Sequence, residues 1–331
     1  MNMKLKSVMI GAAVASIAVM PLSSAVAKDY QPPKTLSFVA PSGAGGGWDL
    51  TIRTVAKTLK DTGLVESNMP VTNRPGGGGA VNLAYMQTQK GKDNLISVYS
   101  PPILLTNLTG ASKYSYEDTT PLARLITDYA AFVVSKDSKY TSIKEVMDAL
   151  KNDPKSVKIG GTSSAGSMDH IQFLMVAKAA GVPKLNQIDY ISFQDGGAVA
   201  QVLGGHVDLI STGLGDVTSL VKSGNLRALA QTADKRIGDG AVAEIPTVKE
   251  QGIDVTFENW RGLFGPKDMP AYAVTYWNDT LKEMVATPEW AEARKRNGWD
   301  DAYQNGEDFT KFLAKTNEQY KEILAEIFSK K

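Results

Sequence analysis

The residues of this chain best placed to do chemistry carry almost no side chain. Between the apolar run Leu36 to Val39 and the helically spaced Ile52, Val55, Ala56 and Leu59 stand Ser42, Gly43, Ala44, Gly45, Gly46 and Gly47, then Trp48 and Asp49. The apolar run reads as the end of a buried strand and the spaced residues as a helix. A glycine loop between them lets a ligand reach the main chain, and the free N–H groups of the helix start point towards it. That arrangement suits an anion. The dinucleotide fingerprint fails, because the third glycine would fall on Trp48, and no Gly-Lys-Ser or Gly-Lys-Thr follows for a nucleoside triphosphate. The alternative is a plain strand-to-helix turn without a ligand.

A second loop has the same build. Val157 to Gly160 reads as a strand, Gly161 and Thr162 lead into Ser163, Ser164, Ala165, Gly166 and Ser167, and Ile171, Leu174, Met175 and Ala179 space out a helix. His170, one turn into that helix, could donate to a ligand or orient the loop. Gly161-Thr162-Ser163-Ser164-Ala165 approaches the nucleophile elbow of hydrolases, with Ala165 where glycine is expected. His170 lies too near in sequence for the usual hydrolase order, although His206 could serve, so a serine hydrolase stands as the weaker alternative. Asp49 reads as a helix N-cap that pairs with Arg53 four residues on. Arg74 and Arg261 read as solvated surface arginines before they read as counter-charges. The two histidines and the lack of cysteine leave no metal-ligand spacing. No metal and no cofactor is expected.

These loops need elements to position them. Met69 to Thr72 and Leu95 to Tyr99 read as further strands, the first running into Gly76 to Gly79 and the second into Ser100. Strand, loop and helix in repetition imply a parallel sheet with covering helices. Leu122 to Ile126 and Ala130 to Ser135 read as two extended segments split at Asp128-Tyr129, and Trp260 to Phe264 as an extended return crossing. Ile188 to Phe193, Val207 to Ser211 and Leu226 to Ala230 read as strands, with a helix starting near Gly196. Ile245-Pro246-Thr247 reads as a helix start that Gly252 ends, and beyond Pro270 only helices are expected. The fold class is α/β with two lobes: residues 28–128 and 264–331 in the first, 129–263 in the second. The two crossings form a hinge, and a ligand sits between the lobes.

The 331 residues suit two lobes better than one core. Lys4 and Lys6, an apolar run from Val8 to Met20 and Ala25-Val26-Ala27 read as a secretory signal peptide over residues 1–27. Without Lys4 and Lys6, 34 basic residues (36 less 2) face 35 acidic ones. A charge so near neutral argues against a nucleic-acid or anionic-membrane partner. With no cysteine there is no disulfide, and the expected product is a periplasmic monomer.

Several motifs stand in one order along nearly the whole mature chain: Pro41 to Arg53, Asn73-Arg74-Pro75 with Gly76 to Gly79, Gly166-Ser167-Met168-Asp169-His170, Ser223 to Ala230, Ile245 to Gly252, and Trp260-Arg261-Gly262-Leu263. In this the chain resembles the solute receptors of tripartite tricarboxylate transporters, the Bug-type periplasmic binding proteins. The resemblance implies a two-lobed fold that closes over a small carboxylate. It further implies that main-chain N–H groups, small hydroxyls and bridging waters from both lobes hold that carboxylate. Carried across by motif, the ligand residues are Ser42 to Gly47, Ser163 to Ser167, and the loop of Asp195, Gly196, Gly197 and Ala198, with Ser100 in addition; His170 is a candidate only by its place one turn after the second loop. The implied partners are one large and one small membrane subunit. Many Bug-type receptors have a shorter first loop with two glycines followed by Thr and Asp. Gly45-Gly46-Gly47-Trp48-Asp49 is closer to the tricarboxylate branch and favours a di- or tricarboxylate. A receptor for an amino acid or an aromatic acid remains the alternative ligand class.

Overall fold

The computed structural model describes residues 30–193 and 197–328. The signal-peptide segment, Asp195 and Gly196 lie outside the described residues. The chain opens with β1 (Ser37–Ala40), α1 (Gly47–Asp61), β2 (Val71–Asn73), α2 (Ala80–Gln87), β3 (Leu95–Tyr99) and α3 (Pro102–Leu108). β1 pairs in parallel with β2 and with β3. Ile52, Val55 and Leu59 of α1 are fully buried against Phe38, Ile96, Val98 and Leu263, as their spacing requires.

Next comes β4 (Thr119–Ser135), followed by α4 (Ile143–Asn152), β5 (Ile159–Gly161), α5 (Met168–Ala179), β6 (Tyr190–Ser192), α6 (Ala198–Leu203), β7 (Leu209–Gly213), α7 (Leu214–Lys222) and β8 (Leu226–Gln231). β5 pairs in parallel with β6 and β7. The chain returns through β9 (Glu258–Pro266) and ends with α8 (Ala271–Val285), α9 (Pro288–Asn297), β10 (Asp300–Asn305) and α10 (Gly306–Phe328). The strand order is β2-β1-β3-β9-β4-β7-β5-β6, with β8 and β10 also paired to β4.

β4 is one continuous strand, and Asp128-Tyr129 does not divide it. Asp is depleted in strands by side-chain type, but Asp128 pairs with Asn259 and Tyr129 with Glu258 on β9. Tertiary pairing overrides the local signal here. What changes at this point is the partner. From Thr119 to Tyr129 the strand runs beside β9, and from Ala130 onward beside β7 and β8. Buried Thr232 pins the changeover. Its hydroxyl accepts from the Ala130 N–H at 2.9 Å and donates to the Phe257 carbonyl at 2.8 Å.

Two further expectations are corrected. Ile245 to Gly252 is not a helix: Thr247 and Glu250 exchange both bonds of a capping box, but the turn they close stops at Gly252, whose φ is 84°. Thr247 also bridges to Gln231, so that box fixes a loop to a strand end. Beyond Pro270 the chain is not all helical, because β10 adds to β4 in antiparallel register. Its polar Asp300, Asp301, Gln304 and Asn305 hide an edge strand from a hydrophobicity search.

Candidate functional site

The parallel strands of the two half-sheets run in opposite senses along β4, so the loops that follow them face each other where β4 changes partner. Ser42 to Gly46 follows β1, Ser100 follows β3, Thr162 to Ser167 follows β5, and Leu214 begins α7 directly after β7. In α/β sheets the crevice outside the carboxyl ends of the strands is where ligands bind.

In the first loop Gly46 is the N-cap of α1 and offers no side-chain cap. Asp49 lies inside the first turn and is not itself the N-cap. From there Oδ2 accepts the Gly45 N–H at 2.9 Å, and Oδ1 accepts Arg53 Nε at 2.9 Å and Asn73 Nδ2 at 2.8 Å. These bonds, that to Arg53 foremost, hold its carboxyl down at about 2. Asn73 also donates to the Ser42 carbonyl at 3.0 Å, so the loop is locked from two sides. Gly45 has φ 81°, a left-handed conformation that favours glycine. The N–H groups of Gly47, Trp48 and Asp49 find no partner among the described residues. Gly43, Ala44, Gly45 and Gly47 are exposed. Ser100 is brought to this loop, since its buried hydroxyl accepts from Trp48 Nε1 at 2.9 Å.

The second loop repeats the device with different residues. Asp169, buried in the first turn of α5, accepts the Thr162 and Ser163 N–H groups at 2.8 and 2.9 Å and the Thr162 hydroxyl at 3.0 Å. Burial raises its carboxyl above the usual range against the pull of those donors. The Ser163 hydroxyl accepts the Asp169 N–H at 2.8 Å, and no histidine contacts it. Ser167 is the N-cap of α5, and its hydroxyl makes no capping bond. Ser164 and Ala165 are exposed, and the Ser164 carbonyl accepts from Ser167. His170 turns inward: Nδ1 accepts the Gly166 N–H at 2.9 Å, and the ring stacks on Tyr190 at 4.4 Å. Tyr190 in turn donates to the Ser163 carbonyl at 2.8 Å. Gly197 and Ala198 start α6, and Ala198 is buried.

Burial pushes the His170 imidazole down to about 4, so it is neutral in the fold and its proton sits on Nε2. The native pKa lies below the ordinary 6.5. The unfolded chain therefore takes up a proton first as pH falls, and stability complete above the ordinary value drains away towards about 4, by roughly 3 kcal/mol in all. Melting curves of the wild type and His170→Gln should converge as pH drops from 7 to 4.5. A constant gap would mean that the imidazole titrates alike in both states.

Sequence reasoning placed Arg261 on a solvated surface, and the structure corrects this. It lies on β9 beside the first turn of α1, where Nη1 donates to Thr51 Oγ1 at 3.0 Å and the guanidinium faces the Trp299 ring at 5.5 Å. A Cβ on Gly47 would come within 2.8 Å of Nη2. Burial lowers the guanidinium pKa, opposed by Asp128 and Asp216. Asp128 is buried on β4 and pushed up to about 6 by that burial, with Arg261 pulling the other way. Its Oδ2 lies 3.6 and 3.5 Å from where Cβ atoms on Gly213 and Gly215 would stand. Asp128 thus stands beside the start of α7, at the position where β4 passes from β9 to β7. Arg74 instead stacks on Tyr85, 3.7 Å from the ring centre.

A family model described as the tripartite tricarboxylate transporter family receptor matches residues 52–328. The chain belongs to that family. Its members are solute-binding proteins and not enzymes. This receptor is 24% identical over 335 residues to BugT of Bordetella pertussis, covering 100% of this chain and 99% of the relative. It is 27% identical to a TctC solute-binding protein from Polaromonas, with a TM-score of 0.71 over 88% of this chain and 97% of that one. A malate-bound MatC structure from Rhodopseudomonas palustris shares the fold at 18% identity, with a TM-score of 0.70 over 87% of this receptor and 98% of MatC. The α/β fold is that of periplasmic solute-binding proteins.

Proposed function

We propose that this receptor holds a small di- or tricarboxylate between two hinged lobes in the periplasm and hands it to a membrane pair of one large and one small subunit. The observation that carries the reading is that, among the described residues, the N–H groups of Gly47, Trp48 and Asp49 beside Arg261 have no partner and the Ser167 hydroxyl of the second loop makes no capping bond. Main-chain donors and one cation suit a carboxylate. The relative with bound malate is a fold match that takes such a ligand. No helix among the described residues is long and apolar enough to cross a membrane, which fits a receptor exported by residues 1–27.

Buried charge sets the energetic requirement. An ion entering a closed cleft loses hydration worth several kcal/mol, and each hydrogen bond to it returns about 1.5–3 kcal/mol. A micromolar receptor needs about −8 kcal/mol net, so donors from both loops are required. The test is a melting screen against mono-, di- and tricarboxylic acids and amino acids. A true ligand at ~100 times its dissociation constant should add about 2.7 kcal/mol. If only amino acids or aromatic monoacids raise the melting temperature, the di- or tricarboxylate reading fails.

A further inference from the structure

Arg261 has an incomplete set of partners. Nη1 is committed to Thr51, and the residue makes no other hydrogen bond and no ion pair among the described residues. Nε and Nη2 are absent from the buried donors that lack a partner, so that edge of the guanidinium reaches solvent. The side chain is half-buried, clamped by Thr51 on one edge and Trp299 across its face. Asp128 and Asp216 influence it electrostatically, but neither closes to ion-pair distance. An arginine placed only to neutralise Asp128 would make that pair. This one presents the Nε–Nη2 edge, which matches the two oxygens of a carboxylate. The absent Cβ of Gly47 leaves room there, since an alanine would stand 2.8 Å from Nη2.

Its position gives the edge a function. Gly262 pairs with Tyr99 at the end of β3, so Arg261 lies one residue beyond the carboxyl ends of the parallel strands. The glycine loop can take one carboxylate on its N–H groups, and a guanidinium beside α1 offers a second anchor. We propose that Arg261 is the specificity residue of the cleft, its free Nε–Nη2 edge taking a second ligand carboxylate side-on and so selecting polycarboxylates over monocarboxylates. This rests on the carboxylate reading above. The nearby acids Asp128, Asp216 and Asp300 sharpen the choice. A ligand that lacks the second carboxylate leaves Arg261 unpaired, and one with an uncompensated extra anion elsewhere meets like charge.

Calorimetry on the mature receptor decides this with malate, citrate and 3-hydroxybutyrate, which is malate with a methyl group in place of one carboxylate. Wild type should prefer malate or citrate strongly over the monoacid. Arg261→Gln should weaken the preferred acid about 100-fold, in line with truncating one partner of a desolvated charge pair. Its affinity for 3-hydroxybutyrate should fall much less, because that acid loses only the nearby positive charge and not a bond to a second carboxylate. Arg261→Lys keeps the charge but loses the fork and should fall between. Circular dichroism and melting of Arg261→Lys control for folding. Equal losses for diacid and monoacid would make Arg261 a support of the loop and overturn the assignment, as would unchanged diacid binding. Wild type binding only the monoacid would overturn the assignment while sparing a carboxylate receptor. Wild type binding none of the acids would remove both readings.

Discussion

Gly47→Ala should leave the receptor folded and as stable as wild type, yet unable to bind the carboxylate proposed for it. Gly47 is the first helical residue of α1 and has no left-handed φ, so the backbone accepts alanine. Alanine is the better helix former by up to about 1 kcal/mol in a helix interior. The obstacle is local. The new Cβ would lie 2.8 Å from Arg261 Nη2 and 3.2 Å from Cζ, and the guanidinium must swing away from Thr51 to make room. The methyl group also stands where a ligand would approach the Gly47 and Trp48 N–H groups. Losing two charge-assisted bonds costs about 3 kcal/mol or more, which is at least about a hundredfold in affinity. Gly43→Ala is the matched control, with nothing within 4 Å of its new Cβ and no left-handed φ. Calorimetry with parallel melting curves separates the outcomes. Retained affinity in folded Gly47→Ala would take the ligand away from α1.

The part of the proposed site legible in the sequence is its main chain. Gly43 to Gly47 and Ser163 to Ser167 announce themselves because glycine and small hydroxyl residues between a strand and a helix have few other uses. Their side-chain supports were legible only in part. Arg53 four residues after Asp49 forecast the observed pair, because helical spacing fixes that contact. The Asp49 bond to Gly45 reverses the expected capping, since residue preference alone does not tell the first-turn position from the cap itself. Arg261 could not be placed, because its partners Thr51 and Trp299 come from opposite ends of the chain. A signal was present in Trp260-Arg261-Gly262, where a charged residue sits inside an apolar strand. β4 shows the same limit on the fold. Asp128 and Tyr129 look like a break until β9 is beside them, and the polar β10 is a strand only because β4 offers it an edge.

Asp169 should tolerate asparagine and not alanine. Its Oδ2 takes the Thr162 N–H, the Thr162 hydroxyl and the Ser163 N–H, all within 3.0 Å. Alanine would strand these donors. At about 1–3 kcal/mol for each fully buried group, and less here because Thr162 is exposed, the expected loss is about 2–4 kcal/mol. Binding should fail with it, because the second loop then no longer presents Ser163 to Ser167 in one conformation. Asparagine can keep an oxygen in the place of Oδ2 and hold the same donors. It also removes a buried charge. Since burial raises the Asp169 pKa in the fold, the wild-type group contributes fully below its ordinary pKa and loses that contribution as pH rises through the native value. The advantage of Asp169→Asn should therefore grow as pH rises from the ordinary carboxylate range to the native pKa, hold above it, and vanish in acid. Asp49 gives the opposite sign: its pKa is lowered to about 2, so its contribution is present above the ordinary carboxylate range and is lost as pH falls towards that value. Asp49→Asn should accordingly cost stability at neutral pH. Chemical denaturation of both asparagine variants at pH 5 and pH 8 reads the two signs directly. If both variants shift the same way, the two loops are not held by the charge states assigned to these first-turn carboxylates.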